Sequence, residues 1–190
     1  ITIGTIGLLI TESLGQENFL SGIDWPDRIM SALFESVSAR TAGFTNMPIS
    51  IEKISDSGLL LLMALMFIGA SPGGTGGGIK TTTLAALMAS TRATLRGQDD
   101  VVIRNRQISD KVVLKAVGIT VGSLLFILMM ALLLSMTGNN ADEPFSFIEM
   151  LFTCISAFAT VGFDLGVTKQ LGHFGPFVLV IGMFVGRLGI

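Results

Sequence analysis

The chain has 190 residues, 14% of them charged, with a mean hydropathy of +0.73 and a formal net charge of -2. A soluble domain carries about a quarter charged residues, so this composition points to a bilayer as solvent. The small net charge gives no reason to expect a nucleic-acid partner. The lone Cys154 rules out an internal disulfide or a multi-cysteine metal site and reads as a small apolar residue packed in a helix. The lone His173 leaves a histidine-based site without a second ligand.

Residues 1–10 are apolar, with no charged segment before them, which is not the pattern of a signal peptide. The chain closes in another apolar stretch, 174–190, and the two ends predict a portion of a longer polypeptide. Residues 26–39 read as a helix with Pro26 in its first turn, too short to cross a bilayer. Residues 58–70 are apolar but also too short. They run into Ser71-Pro72-Gly73-Gly74-Thr75-Gly76-Gly77-Gly78, and a helical pattern resumes over 79–96. This predicts one spanning element broken by glycine. Irregular backbone at membrane depth survives only where protein or a water-filled cavity surrounds it, so the break points to a lined path.

Six of the twelve Lys and Arg fall between Arg92 and Lys115 (with Arg96, Arg104, Arg106 and Lys111), beside the Asp99-Asp100 pair. Short cytoplasmic loops collect such residues, so the connector 97–110 is expected in the cytoplasm. Residues 116–136 carry no charge and are long enough to span. Residues 144–157 repeat the short helix, with Pro144 at its start. Both short helices must return to the outer side, because the next spanning element runs inward; they read as re-entrant. Segments 11–57 and 137–173 are then outside and hold eleven of the fourteen acids, among them Glu12, Glu17, Asp24, Asp27, Asp142 and Glu143. These either form an acidic vestibule that concentrates cations or are ordinary solvated loop residues.

The chain repeats itself at an offset near 118 residues. Leu33-Phe34-Glu35-Ser36-Val37-Ser38-Ala39 matches Leu151-Phe152-Thr153-Cys154-Ile155-Ser156-Ala157, Thr41-Ala42-Gly43-Phe44 matches Thr160-Val161-Gly162-Phe163, and Met66-Phe67-Ile68-Gly69 matches Met183-Phe184-Val185-Gly186. Three ordered matches predict an all-α membrane protein of two parallel helix–pore loop–helix repeats, with re-entrant pore helices and a glycine-broken helix. A cation crossing hydrocarbon needs oxygen ligands, and rings of backbone carbonyls can replace its water shell. Thr41-Ala42-Gly43-Phe44-Thr45 and Thr160-Val161-Gly162-Phe163-Asp164 suit that role. Each has the glycine that permits unusual backbone, behind a short helix whose negative dipole end faces the loop.

Ser38-Ala39-Arg40-Thr41-Ala42-Gly43-Phe44-Thr45, the run Gly69-Ala70-Ser71-Pro72-Gly73-Gly74-Thr75-Gly76-Gly77-Gly78-Ile79-Lys80-Thr81-Thr82, and Phe184-Val185-Gly186-Arg187-Leu188-Gly189 resemble the Trk/Ktr/HKT superfamily of cation transporters, closest to the KtrB type of bacterial potassium uptake subunit. The resemblance covers essentially the whole chain as the family's third repeat (1–96), the connector (97–110) and the fourth repeat (111–190). It implies a pseudo-fourfold pore with one filter glycine per repeat, here Gly43 and Gly162, whose carbonyls coordinate potassium. It implies that residues 69–80 form an intramembrane gating loop. It also implies a multi-pass protein of the bacterial inner membrane, completed by the N-terminal repeats of the same polypeptide. Homodimerisation and a KtrA-like cytoplasmic ring that binds nucleotide in the partner follow from it too. No cofactor is expected in this chain, and sodium dependence stays open.

Arg187 is a charge within an apolar stretch, which usually faces a cavity. The resemblance places it near the gating loop, where it would stabilise the closed form; the bland alternative is a side chain snorkelling to the cytoplasmic surface. Arg40 either pairs with an acid such as Glu35 or is solvated. A phosphate-binding loop is excluded, because Ile79 separates Gly78 from Lys80 and no strand precedes the run. A secondary transporter whose broken helix binds an organic anion is the alternative function; it leaves the two filter-like loops unexplained. No nucleophile–base pair suggests an enzyme.

Overall fold

The computed structural model describes residues 1–13, 23–46, 54–74, 76–98, 100–103, 106–136, 145–172 and 174–188. Glu17, Asp99, Arg104, Asp142, Glu143, Pro144, His173 and Gly189 lie outside the described residues, as does Thr75 of the glycine run. In chain order the elements are α1 (Thr2–Ser13), α2 (Trp25–Ser38), α3 (Asp56–Phe67), α4 (Thr81–Leu95), β1 (Val102–Ile103), β2 (Arg106–Gln107), α5 (Asp110–Met136), α6 (Phe147–Phe158), α7 (Val167–Gln170) and α8 (Gly175–Leu188).

Local chemistry sets the helix starts. Pro26 sits in the first turn of α2, where its missing N–H costs nothing. Ser55 caps α3 by accepting from the Gly58 N–H at 3.0 Å. Ser146 and Glu149 form a capping box on α6, with the Ser146 N–H donating to Glu149 Oε2 at 2.6 Å.

The 27 residues of α5 would extend about 40 Å at 1.5 Å per residue, more than the roughly 30 Å of a bilayer's hydrocarbon. Among the described residues, α5 is the one helix long and apolar enough to cross on its own. Ile127, Met130, Ala131 and Leu134 recur at helical spacing and face the core. Val121, Leu124, Leu125, Leu128 and Leu132 are exposed on the other side. In water such a face invites aggregation; in lipid it is solvated. Helices α3 and α4 flank the glycine run and together carry as many helical residues as α5.

The two halves of the chain pack alike only in part, since the close contact of α6 with α8 has no counterpart of that extent between α2 and α3. α1 packs on α2 and α3, and α5 packs on α6 and α8. The two units meet where α3 packs on α6, and α6 contributes to both apolar clusters, with Phe152 in one and Cys154, Ala157 and Phe158 in the other. Ile148, Leu151, Phe152 and Ile155 of α6 join the cluster that α3 builds. Their counterparts on α2, Met30, Leu33, Phe34 and Val37, are exposed.

Three local features differ from the reading of the sequence. The connector contains a two-stranded antiparallel ribbon, Val102 opposite Gln107, in an otherwise helical chain; strands of two residues are too short to show an alternating pattern. α7 follows the second loop, started by Gly166 at φ 91°. Glu12, read as an outer-loop acid, is buried at the end of α1, and its Oε1 accepts from the Ser55 Oγ at 2.6 Å and the Ser55 N–H at 3.3 Å.

Candidate functional site

The two loops that follow α2 and α6 are built alike. At the end of α2 the Ala42 and Gly43 N–H groups turn back to the Ser38 carbonyl, at 3.1 and 3.3 Å. At the end of α6 the Thr160 and Val161 N–H groups turn back to Ala157 and Ser156, at 3.0 and 2.9 Å. Loop donors are thus spent on the helix ends, which leaves loop carbonyls available to a ligand. The helix C-termini add partial negative charge at the same place.

The backbone hand also repeats. Thr41 has φ 68° and Gly43 φ 75°, and Thr160 has φ 54° and Gly162 φ 100°. Ala42 and Val161 between them keep ordinary negative φ. This alternation breaks the two-sided pattern of an extended strand, so carbonyls of neighbouring residues can turn to one side. A left-handed threonine costs of order 1 kcal/mol, and such strain collects at functional sites. The loops face each other directly. A Cβ on Gly43 would overlap the Val161 carbonyl oxygen and stand 3.7 Å from the Gly162 Cα.

The residues that leave the two loops differ. Phe44 is exposed and Phe163 is buried. The Ser38 hydroxyl donates to the Phe44 carbonyl, and Glu35 Oε1 accepts from the Thr45 hydroxyl at 2.6 Å and the Asn46 N–H at 3.0 Å. Glu35 therefore bonds the segment leaving the loop. Arg40 is half-buried, and its Nε has no hydrogen-bond partner among the described residues.

The glycine run closes on itself and rests against both loops. Its neck is a parallel bridge between Ile68 and Ile79, with the Ile79 N–H on the Phe67 carbonyl at 3.0 Å and the Gly69 N–H on the Ile79 carbonyl at 2.9 Å. Helix α4 therefore resumes beside the point where α3 stops. Gly76 and Gly77 are buried, whereas Ser71, Pro72, Gly73 and Gly74 form an exposed tip; Ala70 and Gly78 lie between these extremes. A Cβ on Gly76 would lie 3.0 Å from Thr41 Oγ1. The Gly77 N–H donates to Thr160 Oγ1 at 3.2 Å, and a Cβ there would lie 2.8 Å from the Ala159 carbonyl oxygen. Lys80 Nζ donates to the Gly76 carbonyl at 2.8 Å and so holds the buried part of the run from within.

Thr41, Ala42, Gly43, Phe44, Thr160, Val161, Gly162 and Phe163 are thus brought together with the described part of the run. Arg187 is placed differently. It lies in the last turn of α8, exposed, and it hydrogen-bonds none of the described residues. Its neighbour Gly186 lies against the Phe158 carbonyl, one residue from the Ala159 carbonyl on which Gly77 rests. Sequence reasoning passed over Glu35 as a brace and Thr160 as the run's acceptor. Setting the repeats side by side exposes the first, since Glu35 stands opposite Thr153; nothing local marks the second.

The sequence profile of the TrkH cation transport protein family matches residues 3–190. The chain is 36% identical over 190 residues to the Ktr system potassium uptake protein D of Bacillus subtilis, covering 100% of this chain and 40% of that protein. It is 34% identical over 191 residues to the Ktr system potassium uptake protein B of Vibrio alginolyticus, again covering 100% and 40%. It is 36% identical over 187 residues to the potassium/sodium uptake protein NtpJ of Enterococcus hirae, covering 98% and 40%. The crystal structure of the potassium transporter TrkH from Vibrio parahaemolyticus superposes with a TM-score of 0.73 at 21% identity, over 98% of this chain and 39% of that one. The chain therefore spans about two fifths of the length of these relatives.

Proposed function

From the premise that this chain belongs to the TrkH cation transport protein family, we propose that it supplies two of the filter segments and the gate of a potassium uptake pore. Residues 41–44 and 160–163 form the filter, the carbonyls of 41–43 and 160–163 act as ligands for the dehydrated ion while that of Phe44 is held by Ser38, and the glycine run 69–80 is the obstruction below them. One observation carries this reading: two loops of the same backbone hand meet, and the glycine run is seated on both of their threonines. A carbonyl cage replaces hydration water without a titratable ligand. Six glycines and a proline between residues 69 and 78 cannot hold a helix and allow a second arrangement of the run.

Two loops do not close a ring. The exposed face of Met30, Leu33, Phe34 and Val37 fits a further helix packed as α3 packs on α6, which favours preceding repeats of the same polypeptide. In this reading the chain is the third and fourth repeat of a multi-pass protein of the bacterial inner membrane. Dimerisation, and a cytoplasmic ring that binds nucleotide and meets the connector, belong to the same reading.

Potassium and sodium fluxes through the complete polypeptide in liposomes test it. Wild-type protein is expected to pass potassium in preference to sodium. Gly162→Ser puts a side chain on a residue at φ 100° and is expected to reduce the preference by about tenfold, the effect of about 1.4 kcal/mol of left-handed strain. Wild-type protein that moves neither ion but takes up an organic anion saturably would overturn the reading in favour of a broken-helix anion transporter.

Arg187 belongs to the gate in this proposal. It follows Gly186, which lies against the Phe158 carbonyl next to the run's seat on Ala159, and its guanidinium is the donor that would hold loop carbonyls in the closed form. Arg187→Ala is expected to raise flux in the resting state about tenfold, the effect of about 1.5 kcal/mol for one hydrogen bond from a charged donor. Unchanged flux and unchanged regulation would leave Arg187 as a cation that seeks the membrane surface.

A further inference from the structure

We propose that Glu35 is the positioning residue of the upstream filter segment, and that the two segments are held in place by different means. The proposal rests on the filter reading above. Glu35 is 1% exposed and lies one turn before the end of α2. Phe44, Thr45 and Asn46, the three residues that leave the loop, are each tied back to α2. Phe44 accepts from the Ser38 hydroxyl. Thr45 Oγ1 and the Asn46 N–H both donate to Glu35 Oε1, at 2.6 and 3.0 Å, and Asn46 Nδ2 donates to Ser31 Oγ at 3.1 Å. Bonds to a carboxylate are roughly twice as strong as neutral ones, and here the acceptor Glu35 is buried while the donors Thr45 and Asn46 are exposed.

The downstream segment lacks this arrangement. Glu35 is replaced there by Thr153, whose hydroxyl bonds the Glu149 carbonyl of its own helix at 2.9 Å. Ser156 stands where Ser38 does, and its buried Oγ has no partner among the described residues. Phe163 is instead packed in the apolar core, and Asp164 Oδ1 accepts from the Thr168 N–H at 3.3 Å at the start of α7. Packing therefore holds one segment. The other is tied down by the polar bonds to Ser38, Glu35 and Ser31. A carbonyl cage that resists closing on the smaller ion discriminates against it. Glu35 supplies that resistance at the outer end, while the N–H bonds to Ser38 supply it at the inner end.

The test compares potassium-over-sodium flux ratios of the complete polypeptide in liposomes for wild type, Glu35→Val, Glu35→Gln and Thr153→Val. Glu35→Val is expected to lose about tenfold or more of the ratio, as befits two charge-assisted bonds. Glu35→Gln keeps an acceptor oxygen for both donors and is expected to stay within about threefold of wild type, the cost of losing charge assistance alone. Thr153→Val is expected to match wild type. A wild-type ratio in Glu35→Val, or an equal loss in Thr153→Val, overturns the proposal. If Glu35→Val fails to fold, Thr45→Val removes one donor alone. It is expected to lower the ratio in the same direction, and an unchanged ratio overturns the proposal. A wild-type protein that shows no preference between the ions overturns the filter reading itself, an outcome distinct from the failure of Glu35.

Discussion

Potassium-selective flux is expected to fall about a hundredfold or more in Gly43→Ala, and to fall further than in Gly162→Ser. Two costs combine at position 43. Its φ of 75° is left-handed, which costs a residue with a Cβ about 1–2 kcal/mol. The new methyl would also overlap the Val161 carbonyl oxygen, a backbone atom that cannot rotate away as a side chain would. Overpacking of this kind costs about 1–3 kcal/mol. Together these reach about 3 kcal/mol, more than the 1.4 kcal/mol of a tenfold change twice over. The strain falls on Val161, itself a proposed ligand, so relief of the clash moves the opposite loop. Position 162 is less crowded, because its Cβ would meet nothing closer than the Gly43 Cα at 3.9 Å. Paired potassium and sodium fluxes at equal protein density check the order. A Gly43→Ala protein as selective as wild type, or milder than Gly162→Ser, would sink the claim that the two loops face each other.

Gly69→Ala is expected to leave the pore open without activation. A Cβ on Gly69 would overlap the Gly77 carbonyl oxygen and lie 2.9 Å from the Gly77 carbonyl carbon and 3.1 Å from the Gly78 Cα. All three atoms belong to the backbone of the run. The neck bonds between Phe67, Gly69 and Ile79 are made within the same few ångströms, so the collision cannot be relieved without unseating Gly77 from Thr160. Losing that bond together with about 2 kcal/mol of overpacking biases the run away from the loops by about a hundredfold. Gly73 serves as the contrast: it sits at the exposed tip with no atom near its missing Cβ, so an alanine there meets only its φ of 84°. Resting flux from liposomes, measured without any cytoplasmic partner, distinguishes the two. If Gly69→Ala stays as quiet as wild type and Gly73→Ala leaks more, the run is not the obstruction.

Much of the architecture could be read along the chain because it is periodic. The apolar run of α5, the two short helices α2 and α6, and the near-118 offset that relates them are properties of residue order. Density of glycine between 69 and 78 marks the break between α3 and α4 for the same reason: residues that cannot hold a helix are visible as composition. Even the pairing of Thr41-Ala42-Gly43-Phe44 with Thr160-Val161-Gly162-Phe163 follows from alignment of the chain with itself. α7 and the two-residue ribbon were hidden because each is too short to impose a period.

The choice of hydrogen-bond partner was not written in that order. Glu35 had an arginine five residues away at Arg40, yet it bonds Thr45 and Asn46, because the chain folds back over the end of α2 and brings their donors to it. Thr160 accepts from Gly77, 83 residues upstream, through the packing of α3 on α6. Arg187 belongs to an apolar helix, yet its side chain is exposed while Gly186 beside it makes the close contact, a distinction of face within one turn. Local pattern settles which residues form an element and which side of it is apolar, since those follow from the dihedral preferences and burial of near neighbours. Which atoms finally satisfy one another depends on loops meeting across the whole chain, and that is a property of the packed molecule.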